Sequence, residues 1–235
     1  MGVIEGVLFD YGRTLVTFSY PTGDLLGVLT EFRPRIESEL HLEAPEAETI
    51  LHDVLLPLED YIDSMSEDEV DYMDVYREAW IRAGMRMPDE LLHEILDAEQ
   101  RCWDRAVRVD PDASETLTVL RARGIRRGIC SNAPFPPEMM RRQLETTGLA
   151  QLVDAVVFSS EVGRRKPAPE VYRAALEAIG TVAEDTLFVG DRVREDYEGP
   201  RSVGMRAVLV IAHAAEPPPD GVPAISSLAE LVSLL

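Results

Sequence analysis

The pattern of apolar and polar positions changes texture twice along the chain. Val3 to Phe9 form a short apolar run that stops abruptly at Asp10-Tyr11-Gly12, the pattern of a buried strand ending in a turn. From there to about Asp110 apolar residues recur at helical spacing among many acids, with no convincing strand. The spacing predicts four helices: Asp24–Leu40 (bent or broken near Pro34), Glu46–Tyr61, Asp68–Ala83 and Pro88–Ala106. From Pro111 onward short apolar runs alternate with amphipathic segments. Strands are expected at Arg127–Cys130, Ala155–Phe158, Thr186–Val189 and Arg206–Ile211. Helices are expected at Ser114–Arg123, Pro137–Thr147, Pro169–Ile179, Glu195–Val203 and Ser227–Leu234, several of them closed by glycine.

Alternating strands and helices imply an α/β fold, a Rossmann-like parallel sheet covered on both faces in three layers. The first strand has no partner nearby and must join this sheet. Residues 1–16 and 111–235 are therefore expected to form the core, and residues 17–110 an inserted α-helical cap. The aromatic and methionine residues of the insertion (Tyr61, Met65, Tyr72, Met73, Tyr76, Trp80, Met85, Met87 and Trp103) sit at spacings that suit its own packing, with a few expected to face the cleft beneath it.

Composition narrows the class. With 235 residues, 46% hydrophobic and 28% charged, the chain is globular rather than disordered. No apolar run approaches the roughly 18 residues of a membrane span, and Met1–Asp10 lack a basic n-region, so no signal peptide is expected. Cys102 and Cys130 show no metal-ligand spacing and read as buried thiols of a reducing compartment, so a cytoplasmic location is expected. The net charge is −20, and the segment Thr17–Asp110 carries 24 acidic against 8 basic residues. Such a surface repels nucleic acid and anionic membranes. A small-molecule substrate is the expected partner, with the chain a monomer or homodimer.

Candidate chemistry falls at the carboxyl ends of the strands, where open α/β sheets bind ligands. Asp10, Ser131-Asn132 and Asp191 each end a strand. Lys166, the only lysine beside 22 arginines, precedes a helix. It marks either a position that needs a compact ammonium or a residue left by chance on a surface loop. Singly, each is an ordinary turn former or helix cap. Together, two carboxylates, a hydroxyl and an ammonium are what phosphoryl transfer through an aspartate requires.

In this arrangement the chain resembles the haloacid dehalogenase superfamily over essentially its full length. The motifs are Phe9-Asp10-Tyr11-Gly12-Arg13-Thr14-Leu15, Ile129-Cys130-Ser131-Asn132, Lys166-Pro167 and Gly190-Asp191 through Asp196. The resemblance implies Asp10 as nucleophile and Ser131 and Lys166 as ligands of the transferring group. It implies Asn132 as a substrate contact. Arg13, three residues after Asp10, reads apart from the resemblance either as a contact to an anionic substrate, as filling the space left at Gly12, or as a solvent-facing turn residue. It further implies an Mg²⁺ held by Asp10, the Gly12 carbonyl and Asp191, with Asp196 as an outer ligand or a partner of these groups.

One position departs from the family pattern. The phosphatases of the superfamily carry a second Asp two residues after the nucleophile, which acts as general acid and base; here that residue is Gly12. Four readings follow: a phosphatase with weakened chemistry or an acid supplied from the cap, a 2-haloacid dehalogenase-type hydrolase with Arg33 or Arg35 near the substrate carboxylate, a non-catalytic binding protein, and a mutase. A phosphonate hydrolase needs a cap lysine, which this cap lacks.

Overall fold

The computed structural model describes residues 3–62 and 67–235. In chain order its strands are β1 (Gly6–Phe9), β2 (Val16–Phe18), β3 (Val107–Val109), β4 (Arg126–Ser131), β5 (Ala155–Phe158), β6 (Thr186–Gly190), β7 (Arg206–Val210) and β8 (Ala224–Ile225). Its α-helices are α1 (Thr22–Leu40), α2 (Ala47–Ile50), α3 (Leu56–Ile62), α4 (Tyr72–Arg82), α5 (Asp89–Ala106), α6 (Ala113–Ala122), α7 (Pro137–Thr147), α8 (Ser159–Val162), α9 (Pro169–Ile179), α10 (Gly199–Ser202) and α11 (Leu228–Leu234).

Six strands form one parallel sheet in the order β5-β4-β1-β6-β7-β8. Strand β1 lies at its centre and is buried on both faces, which is why its sequence is an unbroken apolar run. Alternate residues serve opposite faces. Val7 and Phe9 pack with Leu117, Leu120 and Leu144 of α6 and α7, and Leu8 packs with Val171, Tyr172 and Ala175 of α9. Helix, sheet and helix make three layers, the α/β architecture expected from the alternation. Phe9 is in register with Ile129 of β4 and Val189 of β6, so the residues just beyond all three strands meet at one edge.

The helical insertion gathers around its own apolar cluster, centred on Leu29, Ile36, Val54, Tyr76, Trp80, Leu92 and Ile95. Tyr76, Trp80, Met85 and Met87 are buried there as expected, and Met65 falls outside the described residues. Three expectations for this segment are corrected. Strands do occur: β2 and β3 pair antiparallel, Val16 with Val109 and Phe18 with Val107, and tie together the two points where the chain leaves and re-enters the sheet. With three residues each and partners about ninety positions apart, they carry no readable alternation. Helix α1 runs through Pro34 without a break, because Leu25, Leu29 and Ile36 on one stripe are all buried. The third helix begins at Tyr72, not Asp68; Asp71 caps it by accepting from the Asp74 amide at 3.1 Å, while Asp68 pairs with Arg164 across the chain. The segment 46–61 holds a π-helical turn at Leu51–Leu55, and so does Val193–Glu198 just after β6. No helix among the described residues is long and apolar enough to cross a membrane.

Candidate active site

The strand ends bring Asp10, Ser131 and Asp191 to one edge of the sheet, and the loop before α9 adds Lys166. All four are buried, with exposures of 8, 6, 7 and 3%. Ser131 Oγ donates to Asp10 Oδ1 at 2.8 Å, and Lys166 Nζ donates to the same oxygen at 2.7 Å. Lys166 also donates to Asp196 Oδ1 at 2.7 Å, and its ammonium lies 5.2 Å from the ring centre of Phe188. The single lysine of the chain is thus a buried pivot between two carboxylates, and the surface-loop alternative is excluded. Burial alone would favour loss of its proton, but the charges of Asp10 and Asp196 outweigh this and raise its pKa.

Asp196 is wholly enclosed. Its second oxygen accepts from the backbone amides of Asp191 and Arg192 at 3.0 and 2.9 Å, so it fixes the loop that carries Asp191. The π turn that begins at Val193 points Asp196 back under that loop. The approach is so close that Gly190 has no alternative: a Cβ there would lie 2.3 Å from Asp196 Cγ. Carboxylate oxygens of Asp10, Asp191 and Asp196 come within 4.8 Å of one another. Burial, followed by the charges of Asp10 and Asp196, pushes the Asp191 carboxyl up to about 7, and burial pushes Asp196 to about 6.

Asn132 is a clamp. Its Oδ1 accepts from the Lys166 amide at 2.7 Å and its Nδ2 donates to the Lys166 carbonyl at 3.1 Å, which pins the backbone that carries the ammonium. Gly12 has ordinary, non-left-handed backbone; a Cβ there would meet only Phe18, at 3.5 and 3.8 Å. Arg13 is exposed with φ of 58°, and its amide donates to Val16 at 2.6 Å.

These groups open into a cleft of about 440 Å³ between the sheet edge and the insertion. All eight candidate residues except Asp196, which lies beneath it, line this cleft. The insertion contributes Glu59 and Asp60 from α3, Tyr72 from α4, and Gln100 and Trp103 from α5; Phe18 and Phe135 complete the wall. Sequence reading named Tyr72 and Trp103 without placing them and missed the polar residues, whose only signal was apolar-face spacing. Arg33 and Arg35 lie elsewhere: Arg33 pairs with Glu46 and Glu37, and Arg35 with Glu94.

A second contact between insertion and sheet edge was not foreseen. Arg165, beside Lys166, pairs with Glu69 at 3.0 Å, both side chains being nearly inaccessible. The Arg165 amide donates to the Glu67 carbonyl, the Glu69 amide to that of Gly163, and Arg194 reaches Glu67 at 3.3 Å. The segment 67–69 thus latches onto the loop carrying Lys166.

The chain is 36% identical over 136 residues to the phosphoserine phosphatase of Thermus thermophilus, covering 58% of this chain and 53% of that protein. It spans about half the length of the curated relatives it matches first. Its fold superposes on a HAD phosphatase from Thermococcus onnurineus (TM-score 0.68, 22% identity, 98% of this chain and 97% of that one). It also superposes on a 2-haloacid dehalogenase from Pseudomonas syringae pv. Tomato DC3000 (TM-score 0.72, 19% identity, 99% and 98%). The family model described as haloacid dehalogenase-like hydrolase matches residues 22–204, and the chain belongs to that family.

Proposed function

We propose that this protein is an Mg²⁺-dependent phosphatase that passes the phosphoryl group of a small phosphorylated metabolite first to Asp10 and then to water. The observation that carries the reading is the buried set of Asp10, Asp191 and Asp196 around Lys166. Three carboxylates against one ammonium leave an excess of negative charge that burial makes costly, and the elevated Asp191 carboxyl records it. A hard divalent cation with oxygen ligands suits that set. Asp10, Asp191 and the Gly12 carbonyl are the groups assigned to hold it. Asp196 has both oxygens engaged by Lys166 and the backbone, and acts as their anchor. When bound, Mg²⁺ offsets charge on the transferring oxygens.

The chain's own groups do the rest. An Asp10 oxygen attacks phosphorus, the bond from phosphorus to the ester oxygen breaks, and the leaving oxygen takes a proton from water. A second water then attacks the aspartyl phosphate, releasing phosphate and restoring the Asp10 carboxylate. Ser131 and Lys166, which converge on Asp10 Oδ1, are placed to bind the phosphoryl oxygens as it transfers. Asn132 holds Lys166 in position. Arg13, at the exposed rim, faces the substrate. Residues 17–110 act as a cap that opens about the β2–β3 ladder and closes through the latch at Glu69. Because Gly12 offers no acid, substrates with good leaving groups are turned over fastest. The two unpaired, buried cysteines suit a cytoplasmic setting.

The dehalogenase reading is favoured by Gly12 alone, and the positions of Arg33 and Arg35 count against it. One assay pair separates the two: phosphate release from an aryl phosphate with and without Mg²⁺, and halide release from a 2-haloacid, each against Asp10→Ala. Metal-dependent phosphate release lost in Asp10→Ala supports the proposal. Halide release without a metal requirement refutes it.

A further inference from the structure

The cleft is lined by groups of opposite character. Around Asp10 stand Lys166 and the arginines that neighbour the motifs, Arg13, Arg165 and Arg192. The wall that the insertion supplies offers acceptors. Glu59 and Asp60 line it, and among the described residues no cation pairs with either. Burial without such a partner pushes Glu59 up to about 7.

Two glutamines add to this wall. Gln100 of α5 and Gln143 of α7 are 3% and 5% exposed, and both line the cleft. Each donates its amide nitrogen to the same oxygen of Asp104, at 3.0 Å. A carboxylate can only accept, so the orientation of both amides is fixed with nitrogen toward Asp104. Their carbonyl oxygens face away from it and have no donor among the described residues. Asp104 itself is held by Arg142 at 3.5 Å. Such an arrangement leaves two acceptors, not closed off from the cleft, on a wall shared with the rings of Tyr72 and Trp103.

From this we infer that the substrate is a phosphate ester whose leaving group carries an ammonium, bound between Glu59, the Gln100 and Gln143 carbonyls and the Trp103 ring. The inference rests on the phosphatase reading for the phosphoryl end only. An ammonium supplies N–H donors to the two carbonyls, offsets the half-buried Glu59 charge, and is attracted to aromatic faces.

The test compares two ligands that the enzyme does not cleave: 3-aminopropylphosphonate and butylphosphonate, equal in length and differing in a terminal ammonium or methyl. Wild-type protein with Mg²⁺ is titrated with each by calorimetry at pH 8. The ammonium ligand is expected to bind at least about tenfold more tightly. That ratio is expected to fall toward one in Glu59→Gln and, independently, in Gln100→Leu. Equal or tighter binding of butylphosphonate overturns the inference, and so does a ratio that survives both substitutions. Turnover of p-nitrophenyl phosphate, measured alongside, tests the phosphatase reading separately. A preference without turnover leaves this recognition standing and removes the phosphatase; turnover without a preference does the reverse.

Discussion

Replacing Gly12 with Asp puts a carboxyl where the phosphatases of this family carry their acid, and the structure says what it should do. The backbone at Gly12 is not left-handed, so any L-residue is accommodated. A Cβ meets only the Phe18 ring, at 3.5 and 3.8 Å, which is ordinary van der Waals contact, and Phe18 is 48% exposed and free to yield. The substitution therefore adds chemistry without strain. A positioned general acid is worth ~10²–10⁴-fold, or about 3–5 kcal/mol of barrier. The new carboxyl has no partner to orient it, so the lower end is expected: ~10²-fold in kcat for a simple alkyl phosphate. An aryl phosphate leaves without a proton and should change less than about threefold. The assay is phosphate release from both esters at saturating Mg²⁺, and the readout is the alkyl-to-aryl ratio, which cancels any general loss of active protein. An unchanged or lower ratio in Gly12→Asp would refute the argument that the missing acid limits this enzyme.

Three further outcomes follow from the same geometry. Gly190→Ala drives a methyl into Asp196, 2.3 Å from its Cγ, and must displace the anchor of Lys166 and Asp191; a shift of roughly 1 Å there should cost ~10²-fold in aryl phosphate turnover, and a variant retaining over half the activity would show that Asp196 is not an anchor. Lys166→Met keeps the stem and removes the charge, leaving carboxylates buried without their ammonium, so a loss of about 3–5 kcal/mol is expected in urea denaturation without metal, and a loss below about 1 kcal/mol would contradict the ion-pair account. Glu99 is 4% exposed, accepts from the Tyr76 hydroxyl at 3.1 Å, and is pushed by burial up to about 8. Between the ordinary carboxylate range and pH 8 the folded protein therefore binds more protons than the unfolded chain, so this group lowers stability as pH rises through that window. Glu99→Gln should flatten the decline and raise the urea midpoint more at pH 8.5 than at pH 5; an equal rise at both would assign the effect to packing.

Much of the fold was readable because it rests on local patterns. β5, α7 and α9 have the bounds their sequences imply, since each is a short apolar or amphipathic run closed by a strong stop, Gly148 and Gly180 in the two helices. The errors lie where a distant segment decides. The strands β2 and β3 exist through each other. The stretch at Asp68 gives up its helix for the loop at Arg164. The π turn at Val193 shows in no periodicity, although it aims Asp196 at the site.

The site divides along the same line. Asp10, Ser131, Lys166 and Asp191 were legible because residue type and position at a strand's end both follow from the chain alone. What their neighbours do was not. Asn132 reads as a substrate contact, yet both ends of its amide are engaged by the backbone of Lys166, a partner 34 residues away. Gln100 and Gln143 carry no motif and no strand-end position that would single them out in the sequence. Their meaning depends on Asp104 sitting between them, because only a shared carboxylate forces both nitrogens to one side. A glutamine with both ends free to rotate would suit a donor or an acceptor equally. Two glutamines locked in the same sense leave only acceptors, and that turns an acidic, aromatic wall from a common surface feature into one that selects the charge of what binds opposite Asp10.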